Sequence, residues 1–390
     1  MRRWLVILIA LLFVPNLSAQ NAERIVVGAE RLDQYATMVK GKALAVVANQ
    51  SSMVGERHLV DTLLALGAPV RLIFCPEHGF RGDAEAGAHI DNSTDPRTGI
   101  PIISLYGKNK KPSTAIFEKY GIDIVLFDLQ DVGCRFYTYI STLHYVLEAC
   151  AESPRRPQVI LLDRPNPNGD YVDGPVLEVK YRSFVGMHPG VPVVYGMTIG
   201  EYAQMIKGEG WIACADSLRL TVIPLLNYTH DTPYSLPVAP SPNLRTAQAV
   251  ALYPSLCFFE GTTVSVGRGT DSPFELIGSP TYSCHGFSFV PHPISGVSDN
   301  PPHNGKRCYG LDLRQAEPQR CVDVRYLIEM YCLGDKGTFF LKGNFFEKLA
   351  GTGTLRQQLI QGVGEEAIRA SWQPGLERFQ TIRQKYLLYP

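Results

Sequence analysis

The feature that most restricts how this 390-residue chain can fold is a repeated alternation of short apolar runs with helical segments. "ALAVVANQ", "VRLIFC", "PIISLYG", "IDIVLFDLQD", "QVILLDRPNP" and "LRLTVIPL" are near-continuous apolar stretches of strand length. Between them lie "HLVDTLLALG", "PSTAIFEKYG", "FYTYISTLHYVLEACAE" and "TIGEYAQMIKG", with helical spacing and, in several cases, a closing glycine. Strands that are apolar on both faces belong to a parallel sheet covered by helices on each side. Residues 24–230 are therefore expected to form one doubly wound, Rossmann-like α/β domain. Prolines then crowd in "TPYSLPVAPSPNLRT", read as an interdomain crossing, and the alternation fades. Residues 280–305 are expected to form a long loop. "RCYGLDLRQ" has strand character, and "VDVRYLIEMYCLG", "TLRQQLIQG" and "LERFQTIRQKYLL" have helical character. A smaller α+β domain is expected over 240–390.

The first 19 residues read as an export signal: "MRR", an apolar core "WLVILIALLFV", and a small-residue exit at Ala19. The expectation is a periplasmic or secreted protein with no membrane span after cleavage. Charge is balanced, with Lys+Arg 37 and Asp+Glu 37, which speaks against non-specific nucleic-acid binding. Nine scattered cysteines show no metal spacing and no CxxC pair, and most are read as buried small hydrophobes.

Open parallel sheets bind ligands beyond the carboxyl ends of their strands. Several strands deliver polar groups there. "ALAVVA" is followed by Asn49, "VRLIFC" by Glu77, His78 and Arg81, and "IDIVLF" by Asp128, Gln130, Asp131, Arg135 and Tyr137. "QVILL" is followed by Asp163, Arg164 and Asn166, while nothing after "IISLYG" stands out. Parallel strands would bring these residues to one rim, a polar pocket for a hydroxyl-rich or charged ligand. The competing reading is that each one caps the next helix. The second domain adds "FEGTTVSVGRGTDSPFELIG", with Glu260, Arg268 and Glu275 among glycines. No strand is followed by GxGxxG, and GxxxxGK[ST], GxSxG and HExxH are absent, so neither a cofactor nor a metal is expected.

What remains is carboxylate chemistry. Glu77 stands between Pro76 and His78 just past an apolar strand, where partial desolvation favours the protonated acid. His78 could orient it or titrate itself. Asp128 and Asp131 are the nearest source of a second carboxylate, and the separation of such a pair sets the stereochemistry of glycoside hydrolysis.

These stretches also carry a resemblance. "PEHGFRG", "QDVGCRFYTYI", "LDRPNP", "GMTIGE" and "FEGTTVSVGRGTDSPFE" together look like the NamZ family of exo-β-N-acetylmuramidases, from about residue 25 to the C-terminal end. Cys75, Thr263 and Asp170 stand where the family more often has glycine, asparagine and glycine. The resemblance implies a Rossmann-like domain, a smaller domain closing the cleft, and Glu77 as catalytic carboxylate with His78 beside it. It implies release of N-acetylmuramic acid from the non-reducing end of peptidoglycan fragments. A non-catalytic periplasmic sugar- or muropeptide-binding protein is the competing class.

Overall fold

The computed structural model describes residues 23–80, 92–282 and 286–390. The export segment, Arg81 and Cys284 lie outside the described residues. Among the described residues, twelve strands form: β1 (Leu44–Ala48), β2 (Met53–Val54), β3 (Arg57–His58), β4 (Val70–Cys75), β5 (Ser93–Thr94), β6 (Pro101–Ser104), β7 (Ile124–Asp128), β8 (Gln158–Leu162), β9 (Leu220–Ile223), β10 (Leu276–Ser279), β11 (Phe287–Phe289) and β12 (Cys308–Asp312). The helices are α1 (Leu32–Val39), α2 (Leu59–Ala65), α3 (Thr114–Lys119), α4 (Tyr139–Glu152), α5 (Ile199–Gly208), α6 (Ala247–Leu256), α7 (Arg325–Leu333), α8 (Phe345–Ala350), α9 (Thr354–Ile360), α10 (Glu365–Ala370) and α11 (Gln373–Arg383).

The main sheet has seven strands in the order β5-β6-β4-β1-β7-β8-β9. All its pairings are parallel except the antiparallel β5–β6 edge. Without β5 this is the doubly wound order that runs outward from a central first strand in both directions. Side chains alternate between its faces. Leu44, Val46 and Ala48 of β1 join an apolar core with Tyr35 and Val39 of α1 and Leu59 and Leu63 of α2. Ala45 and Val47 face the other way, into a core with Phe117 of α3, Leu143 of α4 and Tyr202 of α5. Burying each such side chain contributes about 1.5–3 kcal/mol. Every residue of β1 and β7 is buried, which is why these runs read as continuous rather than alternating.

The second unit holds a three-stranded antiparallel sheet, β10-β12-β11, and α7 to α11. Strand β11 breaks up the loop expected over 280–305, and α1, α6, α8 and α10 have no counterpart in the sequence reading. The core beneath α4 and α5 runs without a break into Phe258, Met330, Leu349, Leu359 and Phe379 of this unit. Among the described residues, no helix is long and apolar enough to cross a membrane.

The chain end returns to the α/β sheet. The Tyr389 hydroxyl donates to Asp163 Oδ2 at 2.7 Å and accepts the Leu225 N–H at 2.9 Å. Tyr389→Phe removes both bonds while keeping the ring. It is expected to destabilise the fold by roughly 1–3 kcal/mol, because a buried carboxylate loses a donor. A urea denaturation midpoint equal to wild type would show that this anchor contributes nothing.

Candidate active site

Strand β4 ends at Cys75, and the chain turns sharply through Pro76-Glu77-His78-Gly79. His78 has φ 73° and Gly79 φ 77°, and the Gly79 N–H closes the turn onto the Pro76 carbonyl at 3.2 Å. A left-handed histidine costs energy that glycine would not. Here the turn leaves Glu77 half-buried at the mouth of the sheet while His78 is buried.

Glu77 and His78 face a cavity of about 640 Å³. Thr138, the residue before α4, donates its hydroxyl to Glu77 Oε2 at 2.7 Å instead of capping the helix. The Tyr106 hydroxyl also hydrogen-bonds Glu77; burial and that adjacent carboxylate push its phenol well above the ordinary tyrosine range. Two hydroxyls, one after β6 and one before α4, thus hold the carboxylate. Aromatic rings wall the cavity: Phe136 lies edge-on to Tyr253 at 5.3 Å, and Tyr253 lies edge-on to Phe274 at 5.0 Å. From the second unit come Glu260, Arg268 and Lys348. Arg268 Nε donates to Glu260 Oε1 at 2.5 Å, and its guanidinium lies 5.2 Å from the centre of the Phe274 ring. The neighbouring carboxylate and aromatic hydroxyl hold the Arg268 guanidinium above its ordinary value against the opposing effect of burial, the largest single influence.

Of the residues singled out from sequence, Glu77, His78, Tyr137, Glu260 and Arg268 line this cavity. The Tyr137 hydroxyl donates to the Pro240 carbonyl at 2.7 Å, pinning the proline-rich crossing against the sheet edge. The others among the described residues do not line this cavity and are engaged by protein groups elsewhere. Asp128 and Arg164 form a buried two-pronged ion pair, at 2.5 and 2.9 Å. Asn49 accepts from Ser51 and donates to the Tyr139 hydroxyl, and Gln130 donates to the Asp131 and Pro165 carbonyls. Asp163 receives Thr198, Gly200 and Tyr389. Arg135 is fully buried and donates to the carbonyls of Pro175, Val191 and Leu349. Glu275 accepts the Thr246 hydroxyl. Asn166 borders a different cavity, of about 420 Å³, on the far side of the crossing. Asp131 takes the Tyr195 hydroxyl and the Gly133 N–H, is buried, and is not among the residues that line the cavity.

Tyr106, Lys110, Thr138, Ser183, Phe184 and Lys348 were missed by the sequence reading. For Tyr106 a signal existed: it follows β6 at the same carboxyl edge. For Lys348 there was none, because α8 was not anticipated.

A glutamate steered by two hydroxyls inside an aromatic-walled pocket suits proton transfer to the bridging oxygen of a sugar, which is glycoside-hydrolase chemistry. Comparison with known families makes the assignment specific. The family model for exo-β-N-acetylmuramidase NamZ matches in its N-terminal part over residues 44–248 and in its C-terminal part over 251–389, and the chain belongs to that family. It is 36% identical over 379 residues to the peptidoglycan β-N-acetylmuramidase NamZ of Bacillus subtilis (strain 168), covering 92% of this chain and 89% of that protein. It is also similar to crystal structures of two DUF1343 family proteins from Bacteroides fragilis NCTC 9343. One has a TM-score of 0.84 at 43% identity, covering 94% of this chain and 99% of the other. The second has a TM-score of 0.79 at 27% identity with the same coverage.

Burial pushes the Asp131 carboxyl up to about 7. The folded chain therefore binds this proton more tightly than the unfolded chain does. The stability so gained is complete below about pH 4, the unfolded value, and is lost as pH rises through about 7. Asp131→Asn retains an oxygen for Tyr195 and Gly133 but cannot titrate. Between pH 4 and 8, the wild-type melting temperature is expected to fall relative to that of this variant; parallel curves would reject the assignment.

Proposed function

We propose that this chain is an exported, exo-acting β-N-acetylmuramidase that releases N-acetylmuramic acid from the non-reducing end of peptidoglycan fragments, with Glu77 as the proton-transferring carboxylate. Family membership and the β-N-acetylmuramidase activity of the Bacillus subtilis relative support the reaction. The observation that carries the residue assignment is the Thr138 hydroxyl on Glu77 Oε2, inside a cavity closed by both units. An exo-acting enzyme needs such a pocket rather than an open groove.

In the first step protonated Glu77 gives its proton to the glycosidic oxygen as the bond from the anomeric carbon to that oxygen breaks. In the second, ionised Glu77 takes a proton from the attacking water, restoring the acid. Glu260 is the other carboxylate on the wall among the described residues, and Arg268 holds it in an ion pair. This favours the substrate's own 2-acetamido oxygen as the group that attacks the anomeric carbon, so that one protein carboxylate suffices. His78 contributes through the left-handed turn that aims Glu77.

Glu77→Gln is expected to fold normally and to lose roughly 10²–10⁴-fold in turnover of a chromogenic N-acetylmuramide. Near-wild-type turnover would move the acid elsewhere. A wild-type chain that binds this substrate but releases no chromophore would establish the binding-protein reading instead.

Export is part of the same proposal and rests on the pattern of residues 1–19. Mass spectrometry of the purified mature protein is expected to find an N-terminus at Gln20. An intact Met1 terminus in the cytosolic fraction would overturn it.

A further inference from the structure

Charge on the cavity wall is unequal. Among the described residues it carries the carboxylates Glu77 and Glu260 and the cations Lys110, Arg268 and Lys348. Arg268 is matched by Glu260 at 2.5 Å. Lys110 lies 4.8 Å from the centre of the Phe184 ring, which faces its ammonium. Lys348 is half-buried and makes no ion pair among the described residues. Its acidic neighbour Glu347 is already taken by Arg356 at 2.8 Å.

The backbone that carries this ammonium is firmly placed. Arg135 donates to the Leu349 carbonyl at 3.0 Å, tying the backbone beside Lys348 to the α/β unit. Gly351 closes α8 at φ 76°, and a Cβ there would come within 2.6 Å of the Arg135 guanidinium, so only glycine lets helix and clamp meet. A half-buried cation without a counter-charge is costly until an anion arrives. A rigidly carried one is built to receive it.

We propose that Lys348 binds the lactyl carboxylate of N-acetylmuramic acid and makes the pocket selective for it over sugars lacking that group, such as N-acetylglucosamine. The proposal rests on the muramidase reading. Among the described residues, the rim arginines Arg135 and Arg164 are consumed by carbonyls and by Asp128, which leaves the task to a lysine from the opposite unit.

The test compares a nitrophenyl β-N-acetylmuramide with its isosteric lactyl carboxamide. Wild type is expected to prefer the acid by roughly 10–100-fold in kcat/KM, the range for one hydrogen bond to a charged group. In Lys348→Met that preference should fall to near unity, chiefly through KM, and Lys348→Arg should restore most of it. Lys348→Gln serves as a second neutral variant, with melting curves confirming that each one folds. A preference unchanged in both neutral variants overturns the proposal. So does equal turnover of acid and amide by wild type, or loss of the preference in Lys110→Met while it persists in Lys348→Met. Turnover of neither compound by wild type overturns the muramidase reading itself, and the proposal with it.

Discussion

The buried guanidinium of Arg135 is the contact on which the two-unit architecture turns. It has no exposed surface, and its donors reach the carbonyls of Pro175 and Val191 in the first unit and Leu349 in the second. Burial draws its pKa down to about 9, so the charge is held against a substantial desolvation penalty. Carbonyl dipoles from three chain segments compensate for it. Arg135 stands three residues before Thr138, whose hydroxyl holds Glu77, and its far end grips the residue after Lys348. One side chain therefore links the segments that carry the two walls of the cavity.

The doubly wound sheet has a natural ligand crevice where its strand order reverses, between the carboxyl ends of β1 and β7. In this chain that crevice is filled. The buried Asp128–Arg164 pair lies at that edge, with Ser52 donating to the Asp128 carbonyl and Ser51 to Asn49. The open volume is displaced toward β4 and β6, where Glu77 and Tyr106 emerge, and is roofed by the second unit. The scaffold is shared with nucleotide enzymes while the chemistry is not.

The strands of the sheet and most of its helices were legible because a two-sided parallel sheet demands unbroken apolar runs. That Glu77 stands at the cavity was legible because a proline, an ionisable pair and glycines directly after such a run have no packing purpose. Which half of the carboxyl edge stays open was not legible. Asp131, Asp163 and Arg135 have the same local signature as Glu77, but their partners Tyr195, Tyr389 and Leu349 lie far along the chain. A charge aimed at a carbonyl and a charge aimed at a ligand look alike until the fold brings the carbonyl near. Tyr106 shows the reverse case, where a residue passed over on its own gains meaning from the glutamate one strand away.

The cavity's walls are drawn from opposite ends of the polypeptide, Glu77 on one side and the α8 residues Lys348 and Leu349 on the other. A nascent chain that ends before α8 would carry Glu77 yet lack the wall opposite it, so the cavity is complete only once the α8 segment has been made and packed.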